Sequence, residues 1–183
     1  MINSKQKLNV KNFRNMLQAR GYTIPDKFEE SVNELYKTNS SFNEVRTEEG
    51  DILNINFIYP KKKKYKIDMY ISTKRNIINI LMGENEPKVL QKYKNPNTFH
   101  KLDFGFDLTK HKLVPKHEKV NVKGALFESF LSTNKIQKLK QLPILLTTDP
   151  VSKYFGYTEG TVCKITRPSY ISYRYVMEPD YTE

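Results

Sequence analysis

The sequence predicts an α+β chain: two helices followed by a short sheet, then a second unit of short helices and a small sheet. Three observations predict it. From Val10 to Lys37, apolar residues recur at helical spacing. The period then changes to alternation, with Leu53, Ile55, Phe57 and Tyr59 alternating with Asn54 and Asn56. Near the end, TVCKITRPSY (161–170) and ISYRYVM (171–177) are β-branched and aromatic, and they meet around the turn-forming step Arg167-Pro168-Ser169.

In LNVKNFRNMLQARGY (8–22), Val10, Phe13 and Leu17 form one stripe, and Gly21 sits where a helix ends in a left-handed residue. In IPDKFEESVNELYK (24–37), Pro25 suits a first turn. Asp26, Glu29 and Glu30 favour the positive helix start, Lys37 favours its end, and Phe28, Val32 and Leu35 form the apolar stripe. DILNINFIYP (51–60) and YKIDMYIS (65–72) read as strands with one buried face, joined through PKKKK (60–64). NIINILM (76–82) is nearly all apolar, as in a strand covered on both faces. A short helix is expected after Pro87 in KVLQKY, then a loop at KNPN (94–97). FHKLDFGFDL (99–108) resumes an alternating pattern through Leu102, Phe104, Phe106 and Leu108.

The expected division is 1–109 and 110–183. In the second part, Leu126, Phe127, Phe130 and Leu131 follow helical spacing, and LPILL (142–146) reads as a buried connector. Asp149 caps a helix whose first turn holds Pro150 and which Gly156 ends. The acidic tail EPDYTE (178–183) is expected to be loose.

With 38% hydrophobic and 28% charged residues, the 183-residue chain has enough apolar material for a core and too much for a disordered polymer. Its net charge of +11 is spread out, with 19 basic against 13 acidic residues through Thr109 and 12 against 7 after it. Such a field suits work beside nucleic acid, although lysine-rich coding bias produces the same total. The single Cys163 rules out an internal disulfide and a cysteine-cluster zinc site. The amino-terminal residues have no apolar secretory core, and the longest apolar runs are too short to span a bilayer. A soluble intracellular protein without a membrane partner is expected.

Chemistry-bearing patterns are sparse. His111 and His117 lie six residues apart with Pro115 between them, which disfavours a shared helical face, and an extended chain separates them too far to share one ion. Asp68 followed by Glu86-Pro87-Lys88 loosely matches a metal-dependent nuclease step, but Pro87 would break the strand that presents it. There is no phosphate loop, dinucleotide glycine pattern or nucleophile elbow. No catalytic residue, cofactor site or metal site is therefore expected. Lys61, Lys62, Lys63 and Lys64 read either as a DNA-backbone contact or as a solvated turn, the turn being preferred.

Several motifs fall in a recognisable order. They are His111-x-Leu113-Val114-Pro115-Lys116-His117-Glu118, Leu142-Pro143, and Asp149-Pro150-Val151-x-Lys153-Tyr154-x-Gly156. They continue with Gly160-x-Val162-x-Lys164-Ile165-x-Arg167-Pro168-Ser169 and Tyr173-Arg174-x-Val176. Over 111–176 the chain resembles the carboxy-terminal assembly domain of the fifth subunit of eukaryotic RNA polymerases and its archaeal counterpart. LQARGY (17–22) resembles the helix end of that family's amino-terminal jaw.

The resemblance implies a non-catalytic polymerase subunit without a cofactor that is not a homo-oligomer. Its assembly domain would dock on the largest subunit, and its jaw would line the cleft for downstream duplex DNA through phosphate contacts. His111, Leu113, Val114, Pro115, Lys116, His117 and Glu118, with Arg167, Pro168, Ser169, Tyr173 and Arg174, become the expected partner surface. An apolar strip with a polar rim is what an interface uses, and the arginines suit partner carboxylates. Asp149, Pro150, Tyr154, Gly156 and Gly160 are assigned to the fold itself. Two departures stand out: the first 109 residues are fewer than the usual jaw, and Tyr170 follows Ser169 directly where the family carries a small glycine-containing loop. They suggest a divergent member, such as one encoded by a large DNA virus. The compartment would be the nucleus for a cellular protein, and the cytoplasm or virion for a viral one. The alternatives are a free-standing basic nucleic-acid-binding protein or a magnesium-dependent nuclease.

Overall fold

A computed structural model describes residues 8–38, 42–46, 52–58, 77–82 and 97–179. The expected strand at 65–72, the lysine run 61–64, the helix after Pro87, most of the KNPN loop, the pair Asp68 and Glu86-Pro87-Lys88, and the end of the acidic tail lie outside the described residues. The fold is α+β, and the chain divides into two compact units, Met1–Asp107 and Leu108–Glu183.

The first unit begins with α1 (Val10–Ala19). The Asn9 side chain accepts from the Asn12 N–H at 3.1 Å, satisfying one free donor of the first turn. Phe13, Met16 and Leu17 are fully buried on one face, and Gly21 follows with φ 87°. The α2 helix (Phe28–Thr38) buries Phe28 and Val32 and carries Glu29 and Glu30 in its first turn. Pro25 lies ahead of that turn, its carbonyl accepting the Phe28 N–H at 3.0 Å, so the expected first-turn placement is corrected. The Phe13 ring meets Phe28 at 5.8 Å and Phe104 at 5.0 Å, and Phe104 in turn meets Phe99 at 5.4 Å, so both helices share one core with residues 98–104.

Strands β1 (Phe42–Arg46), β2 (Ile52–Ile58), β3 (Ile77–Leu81) and β4 (Thr98–His100) form a sheet in chain order. The β1–β2 pair is antiparallel, and β2–β3 and β3–β4 are parallel. All five β3 residues are buried, as expected of a central strand in a parallel ladder. The β2 strand departs from single-face burial, because Asn56 and Ile58 are buried along with Leu53, Ile55 and Phe57. Asn56 is accommodated by donating its Nδ2 to Asn79 Oδ1 on β3 at 3.1 Å.

The alternation seen in 99–108 does not make a strand. After His100 the chain turns into a 3-10 helix, Lys101–Phe104. The His100 N–H donates to Asp103 at 2.9 Å, and His100 Nδ1 accepts from the Leu102 N–H at 3.3 Å. This reciprocal cap offers the backbone a better partner than an extended ladder. Nearby, Arg20 donates to Asn97 at 3.1 Å and lies over the Phe99 ring at 5.4 Å. Burial pushes its guanidinium down to about 10.

The second unit contains β5 (Lys116–Val120), α3 (Ala125–Thr133), β6 (Ile144–Leu146), α4 (Pro150–Phe155), β7 (Val162–Thr166) and β8 (Ile171–Met177). Its sheet order is β5-β7-β8-β6, antiparallel except for the parallel β6–β8 pair. Leu145, Tyr157, Cys163, Ile165 and Val176 form the core on one face, with Phe155 packed against them. Among the described residues, no helix is long and apolar enough to cross a membrane.

Candidate docking surface

The second unit positions the motif residues through local caps and turns. Asp149 accepts the Val151 N–H at 2.8 Å, Pro150 occupies the first helical position, and Gly156 ends α4 at φ 65°. The buried Tyr154 ring meets Phe155 edge-on at 5.3 Å, and Phe155 stacks on Tyr157 at 5.5 Å. Gly160 also needs left-handed backbone, at φ 86°. Cys163 is fully buried beside Tyr157, and burial raises both its thiol and the Tyr157 phenol above their ordinary values.

The stretch 111–118 forms a turn followed by an edge strand. The Val114 N–H donates to the His111 carbonyl at 2.9 Å, and the Leu113 N–H donates to His111 Nδ1 at 3.3 Å. Leu113 stands on this turn 82% exposed, with Val114 and Pro115 half-buried behind it. His117 Nδ1 lies 2.7 Å from the Pro115 carbonyl, and desolvation holds the ring below its ordinary value despite the Asp149 carboxylate. Lys116 and Glu118 share a strand face and pair at 2.7 Å, which holds the Glu118 carboxyl below its usual range. Among the described residues, no three histidine, cysteine or acidic side chains are grouped to hold a metal ion.

The β7–β8 hairpin closes through Pro168 and Ser169 alone, with the Arg167 N–H donating to the Tyr170 carbonyl at 2.9 Å. The Arg167 guanidinium lies over the exposed Tyr170 ring at 5.4 Å. Arg174 has an internal role: its Nη1 donates to the Ile144 carbonyl at 2.9 Å, tethering β6. Tyr173 meets the Phe130 ring edge-on at 5.0 Å and so ties α3 to the sheet. The expected surface residues therefore fall into a turn (His111–Pro115), an edge strand (Lys116–Glu118) and a hairpin end (Arg167–Ser169). Tyr173 and Arg174 carry packing and tethering contacts.

The sheet also has a surface that the sequence reading missed. LPILL is an edge strand and not a buried connector: Leu145 faces the core, while Ile144 and Leu146 are 50% and 42% exposed. Ile171 is likewise 52% exposed. In register, Ile144 lies beside Tyr175 and Leu146 beside Met177, so Ile171, Tyr173, Tyr175, Ile144 and Leu146 share the face opposite the core. Fully burying an isoleucine or leucine gains about 1.5–3 kcal/mol, so each half-exposed side chain leaves roughly 1 kcal/mol available to a partner. Three consecutive apolar residues in β6 carried no alternation that could have revealed which ones face out. On α3, Leu126 is also exposed, whereas Leu131 is buried.

This unit has a small capped core and, on the opposite sheet face, apolar side chains that stay half-exposed. Residues 106–177 match the family model described as RNA polymerase Rpb5, C-terminal domain. A Dictyostelium discoideum protein, DNA-directed RNA polymerases I, II, and III subunit rpabc1, is 38% identical over 43% of this chain and 38% of its own length. Caenorhabditis elegans RPABC1 is 34% identical over 52% of this chain and 44% of its own. An Arabidopsis thaliana protein, DNA-directed RNA polymerase subunit 5-like protein 1, is 29% identical over 88% of this chain and 90% of its own. The chain thus spans less than half the length of the first two relatives. Residues 106–177 are thus similar to the Rpb5 carboxy-terminal domain, and the relatives that the chain resembles are named as RNA polymerase subunits.

Proposed function

We propose that the chain is a non-catalytic structural subunit of a multisubunit DNA-directed RNA polymerase acting inside the cell. The carboxy-terminal unit, 110–183, docks on the largest subunit. The amino-terminal unit, 1–109, lines the cleft that receives downstream duplex DNA, touching phosphates without reading sequence. One observation carries this reading: the family-matched segment 106–177 includes an apolar sheet face left outside its own core. Leu113, Val114 and Pro115, rimmed by His111, Lys116, His117 and Glu118, and the Arg167–Ser169 hairpin end extend that surface.

Arg167→Glu tests it, because Arg167 is bound to Tyr170 by a surface contact whereas Arg174 tethers the fold. The variant should fold normally and be recovered with polymerase from its native source at a severalfold lower yield. Normal stoichiometric recovery of Arg167→Glu together with Ile171→Asp would remove the docking assignment. A wild-type chain that never co-purifies with polymerase, but binds DNA alone with steep salt dependence, would instead be a free-standing nucleic-acid binder.

A further inference from the structure

The two edges of the second sheet differ in what they offer. The bond from the Arg167 N–H to Tyr170 sets the hairpin ladder, so the main-chain groups of Val162, Lys164 and Thr166 face β5. By the same alternation, the N–H and C=O groups of His117 and Lys119 point away from the sheet. Among the described residues, neither takes part in a backbone–backbone hydrogen bond outside the ladder. The β6 edge has its outward acceptors occupied. The Tyr175 N–H bonds Pro143 and the Thr147 N–H bonds Met177, which turns Ile144 and Leu146 outward. Both outward carbonyls are already taken, Ile144's by Arg174 at 2.9 Å and Leu146's by the Asp149 N–H at 3.0 Å.

The open edge is also strongly basic: residues 110–123 hold five lysines against the single Glu118, which is paired with Lys116. At the carboxy-terminal end of β5, a cavity of ≈ 790 Å³ opens between Val120, Val122, Lys123, Leu139 and Thr161. We propose that the outer edge of β5 takes an extended acidic segment of a partner protein as an added strand, the end of which enters this cavity. This deepens the docking reading and rests on it. Backbone donors and acceptors alternating along an edge match a second strand. A phosphodiester chain offers acceptors only and would leave the His117 and Lys119 carbonyls without donors. A second copy pairing antiparallel about Glu118 would set Glu118 against Glu118, so like charges oppose self-association in that register.

The test is amide hydrogen exchange on the full chain with a short peptide alternating glutamate and valine. Exchange at His117 and Lys119 should slow by about tenfold or more, with Ile144 and Leu146 unchanged. A lysine–valine peptide should have no effect. Lys119→Pro removes the outward N–H without touching the β7 ladder and should abolish the protection at His117. Lys119→Gln should only weaken it. The proposal is overturned if millimolar acidic peptide leaves His117 and Lys119 unprotected. It is also overturned if oligothymidine protects them equally, or if their protection follows dimerisation of the chain. Should Lys119→Pro fail to fold, the wild-type exchange pattern decides alone. A folded Lys119→Pro chain that binds no peptide yet enters polymerase normally removes strand addition and leaves docking standing. Peptide binding by a wild-type chain that never joins polymerase has the opposite meaning.

Discussion

The β1–β4 sheet and the β5–β8 sheet use apolar residues in opposite ways. In the first, β3 lies between two parallel neighbours and buries all five of its side chains, and even the polar Asn56 of β2 is drawn inside. In the second, the Leu145–Val176 core cluster lies on one face, while on the other Val162 is buried and Tyr173 meets Phe130 but Ile144, Leu146 and Ile171 stay half in water. The first sheet uses its apolar surface for its own folding. The second leaves part of that surface unused by its own fold.

The largest effect that sharpens this contrast is expected at Ile80, fully buried in β3. Ile80→Ala should cost about 2–5 kcal/mol, read as a lower denaturant midpoint for the first unit's tertiary signal. A loss under about 1 kcal/mol would mean that β3 is not the centre of that core. Next is Asp149→Ala, which removes the cap of α4 above the second sheet's core and should cost about 1 kcal/mol in urea unfolding.

At Ile171 the expected change is within about 0.5 kcal/mol for Ile171→Thr, because the side chain is already half solvated. A destabilisation comparable to that of Ile80→Ala would erase the distinction between the sheets. The smallest effect concerns His117. Its imidazole is held below the ordinary value of 6.5 by desolvation, with the hydrogen bond to the Pro115 carbonyl and then Asp149 opposing, and Arg167 and Arg174 reinforcing the shift. As pH falls, the unfolded chain takes up this proton first. The stability contributed by neutral His117 is therefore present above 6.5 and lost as pH drops through the folded value. His117→Gln should flatten that part of the pH–stability curve. An unchanged slope would show that the ring is not desolvated.

What could be read in advance followed from how local the determining physics was. The cap at Asp149, the left-handed Gly21 and Gly156, the buried run of β3 and the Pro168-Ser169 hairpin are written in a few adjacent residues each. The 3-10 turn at Lys101–Phe104 was hidden because Leu102 and Phe104 mimic a strand, while the decisive contacts are hydrogen bonds between His100 and its near neighbours. The β1 strand was not anticipated, since FNEVR has too little apolar alternation to announce pairing with β2. On the candidate surface, the 111–118 stretch and the hairpin end were legible as motifs. The outward face of β6 was not, because Ile144, Leu145 and Leu146 have the same hydropathy and only the register with β8 assigns their sides. Arg174 shows the same gap: its type suggested a partner carboxylate, and its position gives it the Ile144 carbonyl.

The Asn56–Asn79 pair has a consequence for folding fidelity. These two side chains face each other in register across the parallel β2–β3 ladder, bonded at 3.1 Å among aliphatic neighbours. If either strand slid by one residue, each amide would be opposite a hydrocarbon, an error costing about 1–3 kcal/mol per orphaned group. A leucine pair would tolerate several alignments almost equally well. The asparagines thus act as an alignment mark that penalises mispaired intermediates in a sheet whose long crossover connections make strand association slow.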